Sequence, residues 1–415
     1  MEEQKEENKN VPEGEVNPES EEKAEEGKKE SAHEEISYRK ANRKRLISGL
    51  ILLAAATIVI LSVFLSLGEI GEIGQTFSLL WKPENYIDLI IAIALALAYF
   101  FLYPLPLLIL NRGMDTKVGF SDTYLIGSTE LFYNFITPAA AGGQPFQIYG
   151  FTKKKVPTGK ATGLVLLNFT IFLLSVSIFY VGSLIFFPQI TSQLEPAWLK
   201  WVALVAVCFN VAFFFFVAAL AFSKKMSLFL VGVMKWLCKA KWINKLLGSK
   251  IGAFEEYCEN TRATARTLLS HKRSSFFAFL VRMITEIIYF AIPFFLIRAV
   301  GHKIGFEYIP FVALATSFIS AAVSWFPTPG SSGAADYAFT LILGSVLAFT
   351  TNGAESVVSS SAISGEAVSL ALLWRMLTYY LLLLLSFISN LIFEGRYQHS
   401  LKKSLRDMKD GSRPK

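Results

Sequence analysis

The chain has 415 residues, of which 53% are hydrophobic and 18% charged, and phenylalanine alone fills 36 positions. Soluble domains carry about 25% charged residues; here the charges gather between uncharged runs of about 20 residues, each long enough to cross a bilayer as a helix. A soluble enzyme is excluded, and so is a nucleic-acid binder, because the net charge of +7 is a sum of unlike parts.

Residues 1–35 contain 14 Glu and 5 Lys and almost no large apolar side chains. Such a stretch cannot bury enough surface to offset its ordering entropy, so it reads as a disordered acidic tail. The rest of the chain holds 35 basic and 19 acidic groups, a net +16. No signal-peptide pattern precedes the first apolar run. The cysteines, Cys208, Cys238 and Cys258, offer neither a disulfide framework nor a metal spacing. His33, His271, His302 and His399 are scattered, so neither a metal nor a cofactor is expected.

In chain order, the expected full spans are 46–67, 86–110, 161–187, 198–222, 276–297 and 367–393. Two further apolar stretches, 120–138 and 308–350, are interrupted by Pro, Gly and small residues. The fold expected is all-α and polytopic, with a membrane domain over 36–395 and a basic tail over 396–415.

Orientation follows the excess of Lys and Arg on cytoplasmic loops. Arg39, Lys40, Arg43, Lys44 and Arg45 place the N-terminus inside, and seven basic against three acidic groups after residue 393 place the C-terminus there too. Segment 111–119 carries Arg112 and Lys117, and 150–160 carries Lys153, Lys154, Lys155 and Lys160. Both flanks are then cytoplasmic, and the stretch between them is expected to be a re-entrant hairpin. Segment 223–274 has 11 basic residues against 3 Glu and is also inside. Within it, 226–247 mixes apolar residues with lysines and reads as an interfacial amphipathic helix anchored by Trp236 and Trp242, or simply as an inside loop. Loops 188–197 and 351–366 have no basic residue and suit the outside, whereas Arg298 and Lys303 sit awkwardly in an outside loop 298–307. On this count 308–350 is a second hairpin from the opposite face.

The hairpin tips share one pattern, T-P-x-x-x-G. The first is Thr137-Pro138-Ala139-Ala140-Ala141-Gly142 and the second Thr328-Pro329-Gly330-Ser331-Ser332-Gly333. Broken segments repeated in opposite orientation mark inverted-repeat transporters, with the binding site at the repeat interface. Proline removes an amide donor and glycine permits unusual dihedrals, so backbone opens at each tip. The plainer reading, that small residues let kinked helices pack closely, explains one such motif better than two.

Ionisable residues within spans are expensive and often functional. Arg282 and Glu286 are four apart on one helix face and can be a structural pair or part of a site. Arg375 has no acid three or four residues away, and a guanidinium suits a phosphate headgroup. Glu130 and Asp336 can pair with Arg375, bind a cationic headgroup or carry a coupling proton.

The stretches Asn134-Phe135-Ile136-Thr137-Pro138 with Gly142-Gly143-Gln144-Pro145, and Pro327 through Asp336, resemble the two signatures of the lysylphosphatidylglycerol synthase transmembrane family, also called flippase-like. The resemblance extends over roughly residues 40–395. Position 336 is Asp where many relatives are expected to have Glu. In the full-length bacterial enzymes of that family a soluble domain moves lysine from charged tRNA onto phosphatidylglycerol, and the membrane part is assigned to flipping the product. After residue 395 only 20 residues follow here, against the roughly 50 or more of a domain, so a membrane part without the transferase is expected.

The resemblance and the charges imply a lipid translocase in the cytoplasmic membrane for anionic or aminoacylated phospholipids. Its headgroup site would draw on Arg375, Arg282, Glu286, Glu130, Asp336, Asn134 and Gln144. The alternatives are a non-catalytic subunit docking a separate lipid aminoacyl- or glycosyltransferase, and an ion-coupled carrier of small solutes. An enzyme acting alone is least expected, because no nucleophile–base pair is apparent.

Overall fold

Backbone groups facing lipid must be satisfied within their own segment, and every regular element here is a helix. In a computed structural model of the chain, no strand occurs among the described residues. The structure describes residues 47, 51, 54, 57, 58, 70–114, 116, 118–191, 199–240, 248–328, 330, 331, 333–352 and 365–409. The acidic tail, most of the expected span 46–67, Pro329, Trp242 and the last six residues lie outside them. Residues Leu52–His399 form one compact unit, which contains every site residue discussed below. A second unit comprises residues 1–51 and 400–415; its described part is residues 47 and 51 and the helical stretch 400–409.

Helix α1 (Ile70–Leu79) leads to a span that Pro104 divides into α2 (Tyr86–Leu102) and α3 (Leu105–Asn111). Helices α4 (Phe120–Ile136) and α5 (Gly143–Lys153) form the first hairpin. Next, α6 (Thr158–Gly182) is prolonged by a 3-10 turn at Ser183–Phe186 and by α7 (Phe187–Thr191). After α8 (Leu199–Phe222) come α9 (Lys224–Leu237) and α10 (Ile251–Ser270). Helix α11 (Lys272–Ala299) contains Pro293, and α12 (Ile309–Val323) with α13 (Ala334–Asn352) forms the second hairpin. The last span begins as α14 (Gly365–Arg375), passes through a π-helical turn at Met376–Leu381 and continues as α15 (Leu382–Lys409).

Among the described residues, six helical segments are long and apolar enough to cross a membrane: Tyr86–Asn111, Thr158–Thr191, Lys200–Phe222, Lys272–Ala299, Phe306–Val323 and Gly365–Gln398. Five match expected spans. The sixth is the first arm of the stretch 308–350, which the sequence reading took as a re-entrant hairpin; by length and composition that arm is also long enough to cross. A 3-10 turn at Phe306–Tyr308 runs directly into α12, where Pro310 occupies the first helical turn without losing an intrahelical bond. The resulting 18 residues span about 27 Å at helical rise, close to the hydrocarbon thickness of about 30 Å.

Helix α11 is the hub. It packs on α2, α3, α6, α12 and α14, and it buries Phe290, Ile292, Phe294 and Ile297 in the larger core. A second core gathers Leu110, Ile126, Phe151, Leu164 and Leu268 where the first hairpin meets α6 and α10. Helix α10 is polar, yet it lies close against the start of α6. A Cβ on Gly163 would fall 2.5 Å from the Thr261 carbonyl oxygen, so only glycine permits that approach. Within the stretch 226–247, expected as an interfacial helix or an inside loop, the described residues form α9, which ends at Leu237 and leaves Leu228, Phe229 and Trp236 exposed.

Candidate functional site

The tips are built by their own sequence. In the first, the Thr137 hydroxyl donates to the Tyr133 carbonyl at 2.6 Å and accepts from the Gly142 amide at 2.9 Å. One side chain thus ties both ends of the T-P-x-x-x-G motif together. The Gly143 amide donates to Asn134 Oδ1 at 3.0 Å, and a Cβ there would lie 2.2 Å from that oxygen. In the second tip, Asp336 Oδ2 accepts from the Gly333 amide at 2.8 Å, capping the start of α13. The third and fourth motif positions are left-handed in both tips: Ala139 and Ala140 at φ 51° and 52°, Gly330 and Ser331 at 58° and 53°. Left-handed alanine costs roughly 1–2 kcal/mol. Two independent segments adopting the same strained turn is a structural repeat, not only a sequence one.

Both tips meet one turn of the last span. Arg375, at the end of α14, donates from Nε to Asp336 Oδ1 and from Nη1 to the Gly330 carbonyl at 3.1 Å. Of the partners left open for Arg375, the structure selects Asp336 and not Glu130. One turn on, the Tyr379 hydroxyl donates to the Phe135 carbonyl at 3.3 Å, just before the first tip. The Tyr379 ring closes on the second tip, where a Cβ on Gly330 would come within 2.2 Å of it. The π-helical turn beginning at Met376 carries Tyr379; π-bulges are frequent at functional sites. Asp336 and Arg375 are buried, and Arg375 Nη2 has no hydrogen-bond partner among the described residues. Trp374 stacks on Phe339 with centroids 3.5 Å apart and walls the site.

A second charged group lies between α4, α5 and α11. Glu130 accepts from Gln144 Nε2 at 3.0 Å and Gln147 Nε2 at 2.6 Å, and it bonds the Tyr103 hydroxyl. Arg282 stacks on that same Tyr103 ring, its Cζ 4.5 Å from the centroid. Arg282 Nη1 and Glu286 Oε1 are 3.9 Å apart, an ion pair too long for a hydrogen bond. Asn134 and Gln144, expected at a headgroup site, thus have partners within the protein: one holds the tip, the other Glu130. Aromatic rings join the two charged groups, Tyr99 to Tyr289 at 4.9 Å and Tyr289 to Trp374 at 6.4 Å between centroids.

Arg298 and Lys303, awkward for an outside loop, both bond Asp88. Arg298 Nε donates to Oδ1 at 2.9 Å and Lys303 Nζ to Oδ2 at 2.8 Å. Nearby, His302 Nε2 lies 2.6 Å from Glu366 Oε1. Among the described residues, no group of three His, Cys, Asp or Glu could hold a metal ion. Sequence reasoning missed Tyr379, Gln147, Tyr103 and Asp88. Two of these carried a signal: Tyr379 follows Arg375 by one helical turn, and Gln147 follows Gln144 by three residues.

Six apolar helices of spanning length among the described residues, with charged side chains buried among them, define a polytopic helical membrane protein. Residues 46–386 match the family model described as the lysylphosphatidylglycerol synthase TM region, and the chain belongs to that family. Neither a curated protein nor a solved structure matches it significantly.

Proposed function

We propose that this protein is a lipid translocase of the cytoplasmic membrane, with both termini cytoplasmic, and that Arg375 holds the phosphate of an anionic phospholipid headgroup where the two tips meet. The observation that carries this reading is the convergence of both broken segments on Arg375 and Tyr379, with a buried guanidinium nitrogen left unpartnered. Repeat interfaces are where transporters of this construction place their substrate. A guanidinium offers a phosphate parallel donors.

The site favours the phosphate over a cationic lysyl group. Both Asp336 oxygens are engaged, one by Arg375 and one by the Gly333 amide. Phosphatidylglycerol and its lysylated form share the phosphate, so both are candidate cargo. The experiment is transbilayer movement of a fluorescent phosphatidylglycerol in vesicles containing the purified protein. Wild type accelerates it and Arg375→Ala abolishes the acceleration; equal rates for the two would remove Arg375 from the reading.

A further inference from the structure

Glu130, Arg282 and Glu286 bring two acids and one base together in a buried place, and we propose that this group binds one exchangeable proton. All three side chains are almost wholly buried. Arg282 acts electrostatically on both carboxylates, on Glu286 across 3.9 Å and on Glu130 beyond the Tyr103 ring that it stacks on. With every group ionised, the cluster carries a net charge of −1. An uncompensated charge at such depth is strongly disfavoured, and the cheapest remedy is one proton.

The hydrogen bonds say where that proton resides. Glu130 receives Gln144, Gln147 and Tyr103, three donors that suit a carboxylate. Among the described residues, Glu286 Oε1 has no donor, and Arg282 Nε and Nη1 have no acceptor. The proton therefore sits on Glu286. The other titratable groups facing it are Tyr99 and Tyr103 before the first hairpin, Tyr180 on α6 and Tyr289 on α11. Arg375 acts on Tyr289 and is itself neutralised by Asp336. None of these supplies the missing positive charge. A metal ion would have to sit beside the guanidinium, which repels it, so a proton fits where a cation does not.

The site also has a route to the tips. Tyr289 lies between Glu286 and Arg375 and bonds Thr378, the residue before Tyr379. Loading or unloading Glu286 changes the field on the turn that both tips touch.

Infrared difference spectroscopy of the purified full chain tests the proposal without any lipid movement. The wild type should show the C=O stretch of a buried protonated carboxylic acid at neutral pH, and the band should disappear on going to alkaline pH. Either acid alone balances Arg282, so Glu130→Gln and Glu286→Gln should each lose the band. Arg282→Gln leaves two unbalanced acids and should strengthen it. A wild type without the band at any pH overturns the proposal with no need for a variant. A band that survives both glutamine substitutions overturns it as well, as does a band that sodium ions abolish at constant pH. Failure of the vesicle assay with the band intact would sink lipid translocation and leave the proton site standing.

Discussion

Arg375 and Asp336 are 39 residues apart and form a buried ion pair in which the guanidinium Nε donates to Oδ1. The carboxylate also caps α13 through the Gly333 amide, so the pair fixes the second tip to the last span. Removing one partner leaves an uncompensated buried charge, which costs about 3–5 kcal/mol. Asp336→Leu and Arg375→Met should each lower the thermal unfolding midpoint in detergent markedly. The double substitution should recover much of that loss, because a buried pair can be replaced by apolar side chains nearly neutrally. Lipid movement should stay lost in all three. A double variant as unstable as the sum of the singles would show that the pair does not act as a unit.

Gly330 is left-handed at φ 58° and stands where any Cβ would strike the Tyr379 ring at 2.2 Å. Gly330→Ala should therefore cost about 2 kcal/mol or more, from strain and from contact. Tyr379→Ala, which opens space, should rescue the contact part of Gly330→Ala. Tyr379→Phe keeps the ring and loses only the bond to the Phe135 carbonyl, worth about 1 kcal/mol. A midpoint unchanged in Gly330→Ala would mean that the tip does not close on Tyr379 in the membrane.

Gly163 and Gly232 offer a paired test of how α10 is held. A Cβ on Gly163 meets the Thr261 carbonyl oxygen at 2.5 Å, and backbone cannot step aside as a side chain can. Gly163→Ala should destabilise by about 1–3 kcal/mol, the usual cost of overpacking. Gly232 on α9 has nothing within 4 Å of such a Cβ, so Gly232→Ala should gain up to ~1 kcal/mol from helix propensity alone. Proteolysis of α10 should accelerate in the first variant and not in the second.

The spans were legible because an uncharged run of such length has few other fates. Five of them fall within a few residues of the helices found, and the breaks at Pro104 and at the two tips follow from Pro and Gly chemistry. What could not be read locally was partnership. Arg375 showed no acid within a helical turn because its acid lies across the fold. Tyr379 looked like one aromatic residue among many; its role comes from the π-helical turn, which no residue in Met376–Leu381 announces. Asp88 explains why two basic residues stand in loop 298–307, yet it reaches them across more than 200 positions. Loop counting treats such charges as independent, which is why that loop fitted its predicted side poorly.

Opposed approach of the two tips is the premise on which a shared central site rests, and single cysteines can decide it. Ala140 is exposed at the first tip and Ser331 is partly exposed at the second. Cys208, Cys238 and Cys258 are replaced first, since Cys208 is exposed. Ala140→Cys and Ser331→Cys are then labelled with a membrane-impermeant thiol reagent in sealed vesicles of each orientation. The hairpin flanked by Lys153 and Lys154 should present position 140 to the cytoplasmic side, and position 331 should react from the outer side. Both positions adopt the same left-handed turn, so a difference in reactivity reports the side of access and not a difference in local geometry. Labelling of both from one side would open the two tips to a single vestibule. The repeat would then be structural only, and transport by alternating access through it would fail.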